Sequence, residues 1–287
     1  MIPRPFEYHR PASLPEALAM LSQYGDDARV LAGGHSLLPM MKLRFASPGH
    51  LVDLGRLDEL RGIREEAGEI RIGAMTTEHD LIDSALLQQK CPLIVEGARQ
   101  ISDPQVRYLG TIGGDIAHGD PGNDHPALML ALDATFVVAG SGAERTIPAD
   151  AFFLGTYETA LAPGEILREI RIPVPPPGTG YSYAKLKRKT GDFATAATAV
   201  VLRLSGGTVS HVRIALTNVA PTSFRATEAE QALQGKTPDA AAIDDAVARA
   251  MARCAPSEDL RGDAAYKTAM AGEMTRRALL AAQARTA

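Results

Sequence analysis

Two segments, Ala32-Gly33-Gly34-His35-Ser36 and Thr111-Ile112-Gly113-Gly114-Asp115, decide how the rest of the chain is read. Each sets paired glycines beside a hydroxyl, Ser36 in the first and Thr111 in the second. With no Cβ in the way the backbone can approach an anion closely, and glycine reaches positive φ without steric cost. Successive N–H groups can then cradle phosphate oxygens. Either pair alone reads equally well as an ordinary turn. Together they suggest one ligand with several phosphate oxygens, held by two halves of a site.

Outward from the first segment, Ser13-Leu14-Pro15-Glu16 has the spacing of a capping box that opens a helix to about Tyr24, stopped by Gly25. Arg29-Val30-Leu31 is a strand feeding the glycines, a helical turn leaves them over 37–44, and His50 to Leu54 is a further strand, so residues 1–54 form a small βαβ-like lobe. A second lobe, 55–177, carries a hairpin (62–65 with 69–73), helices over 77–87 and 93–102, and the second glycine segment after Asp103-Pro104. It continues with a helix over 126–132, a hairpin about Gly140-Ser141-Gly142, and an edge strand over 166–172. Pro173-Val174-Pro175-Pro176-Pro177-Gly178 is a stiff linker. Beyond it, 178–287 holds a three-strand meander (181–187, 195–204, 209–217) and alanine-rich helices over 226–234, 239–254 and 263–285. The fold class is α+β.

The 287 residues suffice for two or three domains, and 45% apolar with 22% charged residues marks a soluble globular chain. A net charge of −4 without a basic run excludes a nucleic-acid groove and a polybasic membrane patch. No stretch approaches the ~20 apolar residues that span a bilayer, and the N-terminus lacks the core of a signal peptide. A cytoplasmic location is expected, with peripheral docking at the inner face of the cell membrane left open. Cys91 and Cys254 are too few for an iron–sulfur cluster or a disulfide framework.

No Gly-x-Gly-x-x-Gly or Gly-x-x-x-x-Gly-Lys-Ser/Thr motif is present, so neither a Rossmann site nor a P-loop is expected. What is left is a cradle built from two distant loops, which suits the pyrophosphate of FAD. His118, Asp120, Asp124 and His125 lie in one turn-rich stretch; structural turn residues account for it better than a metal site, and no metal ligand is assigned. Asp124 heads a helix, as a cap or as a contact to a ribose hydroxyl. Lys185, Lys187 and Lys189 would share one strand face, solvated or facing a phosphate or flavin. Phe193 packs in the core or covers a planar ring. No hydrolytic constellation is visible, no catalytic residue is assigned, and His9 has no evident role.

The two glycine segments, with Pro121 and Asp124 after the second, resemble those of the FAD-binding subunits of molybdenum hydroxylases, the xanthine-oxidase-like family. Met1-Ile2-Pro3, the 37–44 segment, Lys187-Arg188-Lys189-Thr190-Gly191-Asp192, Asp259-Leu260-Arg261-Gly262 and Tyr266-Lys267 extend the likeness over the whole chain. It is nearest to the medium subunits of aerobic carbon monoxide dehydrogenases. The resemblance implies a two-lobed FAD-binding domain of the vanillyl-alcohol-oxidase/PCMH type, then an antiparallel sheet with helices. It implies non-covalent FAD contacted by Ala32, Gly33, Gly34, His35 and Ser36, by Thr111, Ile112, Gly113, Gly114 and Asp115, and by Ile101, Asp124, Lys187 and Phe193. Asp124 would reach the adenosine ribose, Lys187 the flavin, and Ile101 and Phe193 would flank the ring. His35 is the position at which some wider relatives attach flavin covalently.

It further implies a large subunit with molybdenum-pterin cytosine dinucleotide and copper, and a small subunit with two 2Fe–2S clusters, in a dimer of heterotrimers. Carbon monoxide would be oxidised on the large subunit, and electrons would pass through this oxidoreductase subunit to a quinone or cytochrome. The alternative is a hydroxylase of N-heterocycles or aldehydes, with NAD as an acceptor. A third reading is an assembly module without flavin.

Overall fold

The computed structural model describes residues 2–286. Among the described residues there are three larger sheets and a two-stranded one, Phe153–Gly155 with Glu158–Thr159. The first is parallel, in the order Glu7–His9, His50–Asp53, Ala28–Leu31, and the helix Leu14–Tyr24 packs on it. Ser13 Oγ accepts from Glu16 N at 3.3 Å at the start of that helix, while Glu16 reaches back to the amide of Ala12 at 2.6 Å. The strand Glu7–His9 lies outside the elements expected from sequence. It puts His9 against Tyr24 and His50 in a stack with ring centroids 3.8–5.2 Å apart.

The second sheet has five antiparallel strands in the order Ile63–Glu66, Glu69–Gly73, Ile166–Pro173, Thr135–Ala139, Glu144–Pro148. Ile166–Pro173, expected at an edge, is the central strand. Its alternation signals one wetter face, which an antiparallel sheet can have at its centre as well as its rim. The helix expected over 77–87 is two helices, Glu78–Asp83 and Ala85–Lys90, because Ser84 leaves the helical region (ψ 110°) and caps the second through Leu87 N. The helix expected over 93–102 is Pro92–Ala98. The second glycine segment is itself helical. Thr111 caps the helix Ile112–His118, and both glycines sit in its first turn.

The third sheet is the expected meander, Gly180–Leu186, Ala196–Ser205 and Thr208–Thr217, with a short fourth strand Phe224–Arg225. Both its faces are covered. Ala196, Val200 and Leu202 pack under the helices Thr227–Leu233, Ala240–Ala252 and Ala264–Gln283. Ala197, Ala199 and Val201 join the core around Ile70, Phe136 and Leu128. A strand wet on neither face reads as a continuous apolar run, as Ala196-Ala197-Thr198-Ala199-Val200-Val201-Leu202 does. Burying such a run makes the meander the back wall for the turn at 119–123 and the helix His125–Ala131.

Candidate functional site

The strand Ala28–Leu31 delivers the first glycine segment directly onto the residues that precede the second. A Cβ on Gly33 would stand 2.4 Å from Leu109 O and 2.7 Å from Gly110 Cα, and a Cβ on Gly114 would meet that of Ala32 at 3.4 Å. Contacts under 3 Å to backbone leave no room for a side chain, so Gly33 is glycine because the two segments touch there. Thr77 bridges Thr111 on the far side, and Glu78 N donates to Gly110 O at 3.0 Å. The two halves form one surface.

They differ in what they offer an anion. Among the described residues, nothing accepts from the amides of Gly33, Gly34, His35 or Ser36, and Gly34 turns through φ +77°. In the second segment the amides are spent internally: Ile112 N on Thr76 O (3.1 Å), Gly113 N on Ala74 O (2.9 Å), Gly114 N on Thr111 Oγ1 (3.2 Å) and Asp115 N on Thr111 O (3.0 Å). Gly113 is small for a packing reason, since its Cβ would lie 2.4 Å from that of Ala74. The expected pyrophosphate donors are thus concentrated in 33–36. What Thr111, Gly113 and Gly114 provide is a hydroxyl and a close approach. His35 is exposed and its ring makes no hydrogen bond within the described residues.

Beneath the second segment lies a buried polar network. His125 Nε2 meets both carboxylate oxygens of Glu78, at 2.8 and 2.9 Å, with both residues inaccessible. Burial disfavours the imidazolium, but the Glu78 carboxylate outweighs it and raises the His125 pKa to about 9. Asp115, in the first turn of the helix Ile112–His118, keeps Oδ1 inaccessible and without a hydrogen-bond partner among the described residues, and burial pushes its carboxyl up to about 8. Asp124 is no helix cap: its side chain makes no bond to the helix it heads. One oxygen instead accepts from Lys185 Nζ at 2.7 Å and the other from the Tyr183 hydroxyl. Each carboxylate oxygen therefore has one partner and keeps a lone pair for the expected ribose contact. Lys185, with a side chain 1% exposed, is not part of a solvated face.

Lys185 and Lys187 both donate to Gln100 O, at 3.3 and 3.1 Å. Burial, with the adjacent Lys185 charge, lowers the Lys187 pKa. Gln100 immediately precedes Ile101, which is partly exposed, so the structure brings Lys187 and Ile101 together. The strand ends at Leu186, and Lys189 points away into solvent. Phe193 is 44% exposed, which excludes the core reading. The four residues of the 118–125 stretch do not converge on one point: His118 lies tilted against the Tyr157 ring at 5.0 Å, Asp120 accepts from Gly122 N and the same Tyr157's hydroxyl, Asp124 pairs with Lys185, and His125 with Glu78.

Sequence reasoning missed Glu78, Tyr183 and Arg261, which binds Asp192 beside Phe193. Glu78 and His125 are 47 residues apart, and no local pattern links them.

Free backbone donors at 33–36, a hydroxyl on each half, an exposed aromatic at Phe193 and a partly exposed aliphatic at Ile101 are groups that fit a dinucleotide carrying a planar ring. A donor set of uncharged amides suits a pyrophosphate bound without a Walker lysine. The comparisons with known proteins agree. Residues 4–175 match the FAD binding domain in molybdopterin dehydrogenase, and 181–282 match the CO dehydrogenase flavoprotein C-terminal domain. The chain belongs to this family of molybdopterin-dehydrogenase FAD-binding subunits. Full-length relatives within it include carbon monoxide dehydrogenase medium chains. The one from Hydrogenophaga pseudoflava is 61% identical over 287 residues (100% of both chains), and that of Afipia carboxidovorans 55% over 99% of both. A solved structure of carbon monoxide dehydrogenase from Hydrogenophaga pseudoflava, lacking the Mo-pyranopterin moiety, superposes with a TM-score of 0.99 at 63% identity, over all of both chains.

Proposed function

We propose that this chain is the FAD-carrying, electron-transferring subunit of a molybdenum-containing carbon monoxide dehydrogenase. The observation that carries the reading is the closure of Gly33 on Gly110, which leaves the amides of 33–36 as free donors beside the Thr111 hydroxyl, in a chain 61% identical over its full length to a carbon monoxide dehydrogenase medium chain. When bound, FAD supplies the exchange between one-electron carriers and a two-electron acceptor.

The chain's own residues hold and orient it. Gly33, Gly34, His35 and Ser36 donate to the pyrophosphate, and Ala32 and Gly114 set the spacing of the two halves. Thr111, Ile112, Gly113 and Asp115 form the helical wall. Lys187, partly desolvated, places a cation at the flavin end next to Ile101, and Phe193 covers the ring. Asp124, held in place by Lys185 and Tyr183, keeps lone pairs with which to accept from the adenosine ribose or to lie near other FAD oxygens. FAD is non-covalent. The structural units are 1–54, 55–177 and 178–287.

The partners are a large subunit that oxidises carbon monoxide at a molybdenum–copper centre and a small subunit with 2Fe–2S clusters, in a dimer of heterotrimers in the cytoplasm. The acceptor is a quinone or cytochrome reached at the inner membrane face. Co-purification tests this: recovery of molybdenum and iron–sulfur subunits with carbon-monoxide-dependent reduction of an artificial acceptor supports it. A complex that instead hydroxylates an N-heterocycle or aldehyde would move the chain to the related hydroxylases.

A further inference from the structure

The Asp259-Leu260-Arg261-Gly262 segment has no part in the functions above, yet it is built onto the Phe193 loop. It forms a tight turn closed by a bridge between Asp259 and Gly262. Lys267, 2% exposed, anchors it from the helix Ala264–Gln283 by donating to Ser257 O at 2.7 Å and pairing with Asp259 at 2.9 Å. Gly262 lies against the Tyr266 ring, where a Cβ would stand 2.5 Å from Cδ1. The turn is thus a rigid platform, and Arg261 projects from it.

Arg261 Nη2 donates to Asp192 Oδ1 at 2.9 Å, and the same oxygen accepts from Phe193 N at 2.9 Å. The other Asp192 oxygen accepts from Arg188 Nε at 2.8 Å, and Arg188 also donates to Leu260 O at 3.3 Å. The Arg261 guanidinium carbon sits 5.6 Å over the centroid of the Phe193 ring, within cation–π range. Gly122 borders the ring, where a Cβ would come within 3.3 Å of Phe193 Cδ1. Upstream, Gly191 turns the chain at φ +85°, and Asp192 N donates to Lys189 O at 3.2 Å across that turn. Phe193 is therefore held by a cation on one face and a glycine at its edge, while 44% of the residue stays exposed. An aromatic held this firmly yet left open is arranged to receive a flat partner.

We propose that Arg261 is a positioning residue: through Asp192 and the face of Phe193 it fixes that ring as a wall of the flavin site, an inference that rests on the FAD reading above. Burial would raise the Asp192 pKa, but the two arginines hold it down to about 2, so the clamp stays charged across the whole physiological range.

The test is FAD titration of the full chain, purified with the subunits that accompany it and stripped of flavin, in Arg261→Ala, Phe193→Ala and the double variant. If Arg261 acts through Phe193, each single variant weakens FAD about tenfold, and the double variant is no weaker than Phe193→Ala alone. Both singles also alter the visible spectrum of bound flavin alike, a readout that a merely structural arginine would not move. Arg261→Lys keeps the charge without the planar fork and falls between wild type and Arg261→Ala; it serves if the alanine variant does not fold. Leu260→Ala, a side chain 90% exposed, leaves affinity unchanged. Additive losses, or unaltered affinity in Arg261→Ala, overturn the clamp and leave the FAD reading standing. A wild-type complex that takes up no FAD overturns both.

Discussion

Lys185 Nζ lies 2.7 Å from Asp124 Oδ2, with the two side chains 1% and 6% exposed, so a strand of the C-terminal sheet is ionically tied to the head of the helix His125–Ala131. Removing one member of such a buried pair strands the other charge away from water. Lys185→Met is expected to cost about 3–5 kcal/mol in denaturant unfolding of the flavin-free chain, and Lys185→Met with Asp124→Asn less than Lys185→Met alone. A single-variant loss under 1 kcal/mol would show the pair to be hydrated in solution.

Gly33→Ala is expected to drive the two glycine segments apart, because the new methyl collides with Leu109 O and Gly110 Cα. Overpacking of this kind costs about 1–3 kcal/mol. The purified variant should retain little flavin, measured as FAD per chain after gel filtration; stoichiometric flavin in Gly33→Ala would mean that the segments do not close on each other.

Stability should fall on the alkaline side. His125 keeps its proton in the fold up to about pH 9, whereas an unfolded histidine releases it near 6.5. The gain from its pairing with Glu78 is therefore full below about pH 6.5 and lost as pH rises through 9. Asp115 acts in the same sense. Its carboxyl ionises near pH 8 in the fold and near 4 when unfolded, so the cost of burying it grows across that interval. Asp115→Asn removes this cost and should raise Tm of the flavin-free chain at pH 8 by about 2–4 °C or more, with little change at pH 4. Equal shifts at both pH values would contradict the assignment.

Flavin should leave the protein on acid precipitation if the exposed His35 serves, as proposed, through its backbone amide and not through a bond to the isoalloxazine. Yellow protein in the pellet would show a covalent link there.

Much of this site is legible in sequence because its signals are local. Paired glycines beside Ser36 and Thr111 stand out only because two such segments occur together, and the apolar runs of the meander, broken by Gly206-Gly207, mark its strands. The second segment still reads as a loop, since two glycines weigh against a helix by about 2 kcal/mol. Only the three-dimensional neighbour Ala74, against which Gly113 must pack, shows why they are tolerated in one. Pairings across 47 and 61 residues, Glu78 with His125 and Asp124 with Lys185, leave no periodic trace. Nor does the 69-residue reach of Arg261 to Asp192. Charged residues in a turn-rich stretch look solvated until a second element closes over them, which is why Asp124 reads as a cap and Lys185 as surface.

The most direct test is anaerobic addition of carbon monoxide to the purified complex while the visible absorbance of its flavin is followed. Bleaching of the flavin band, absent in a complex carrying Gly33→Ala that has lost its FAD, is the predicted result. Reduction of the molybdenum and iron–sulfur centres with the flavin left oxidised, or a complex that contains no flavin at all, would contradict an electron-transferring role for this chain.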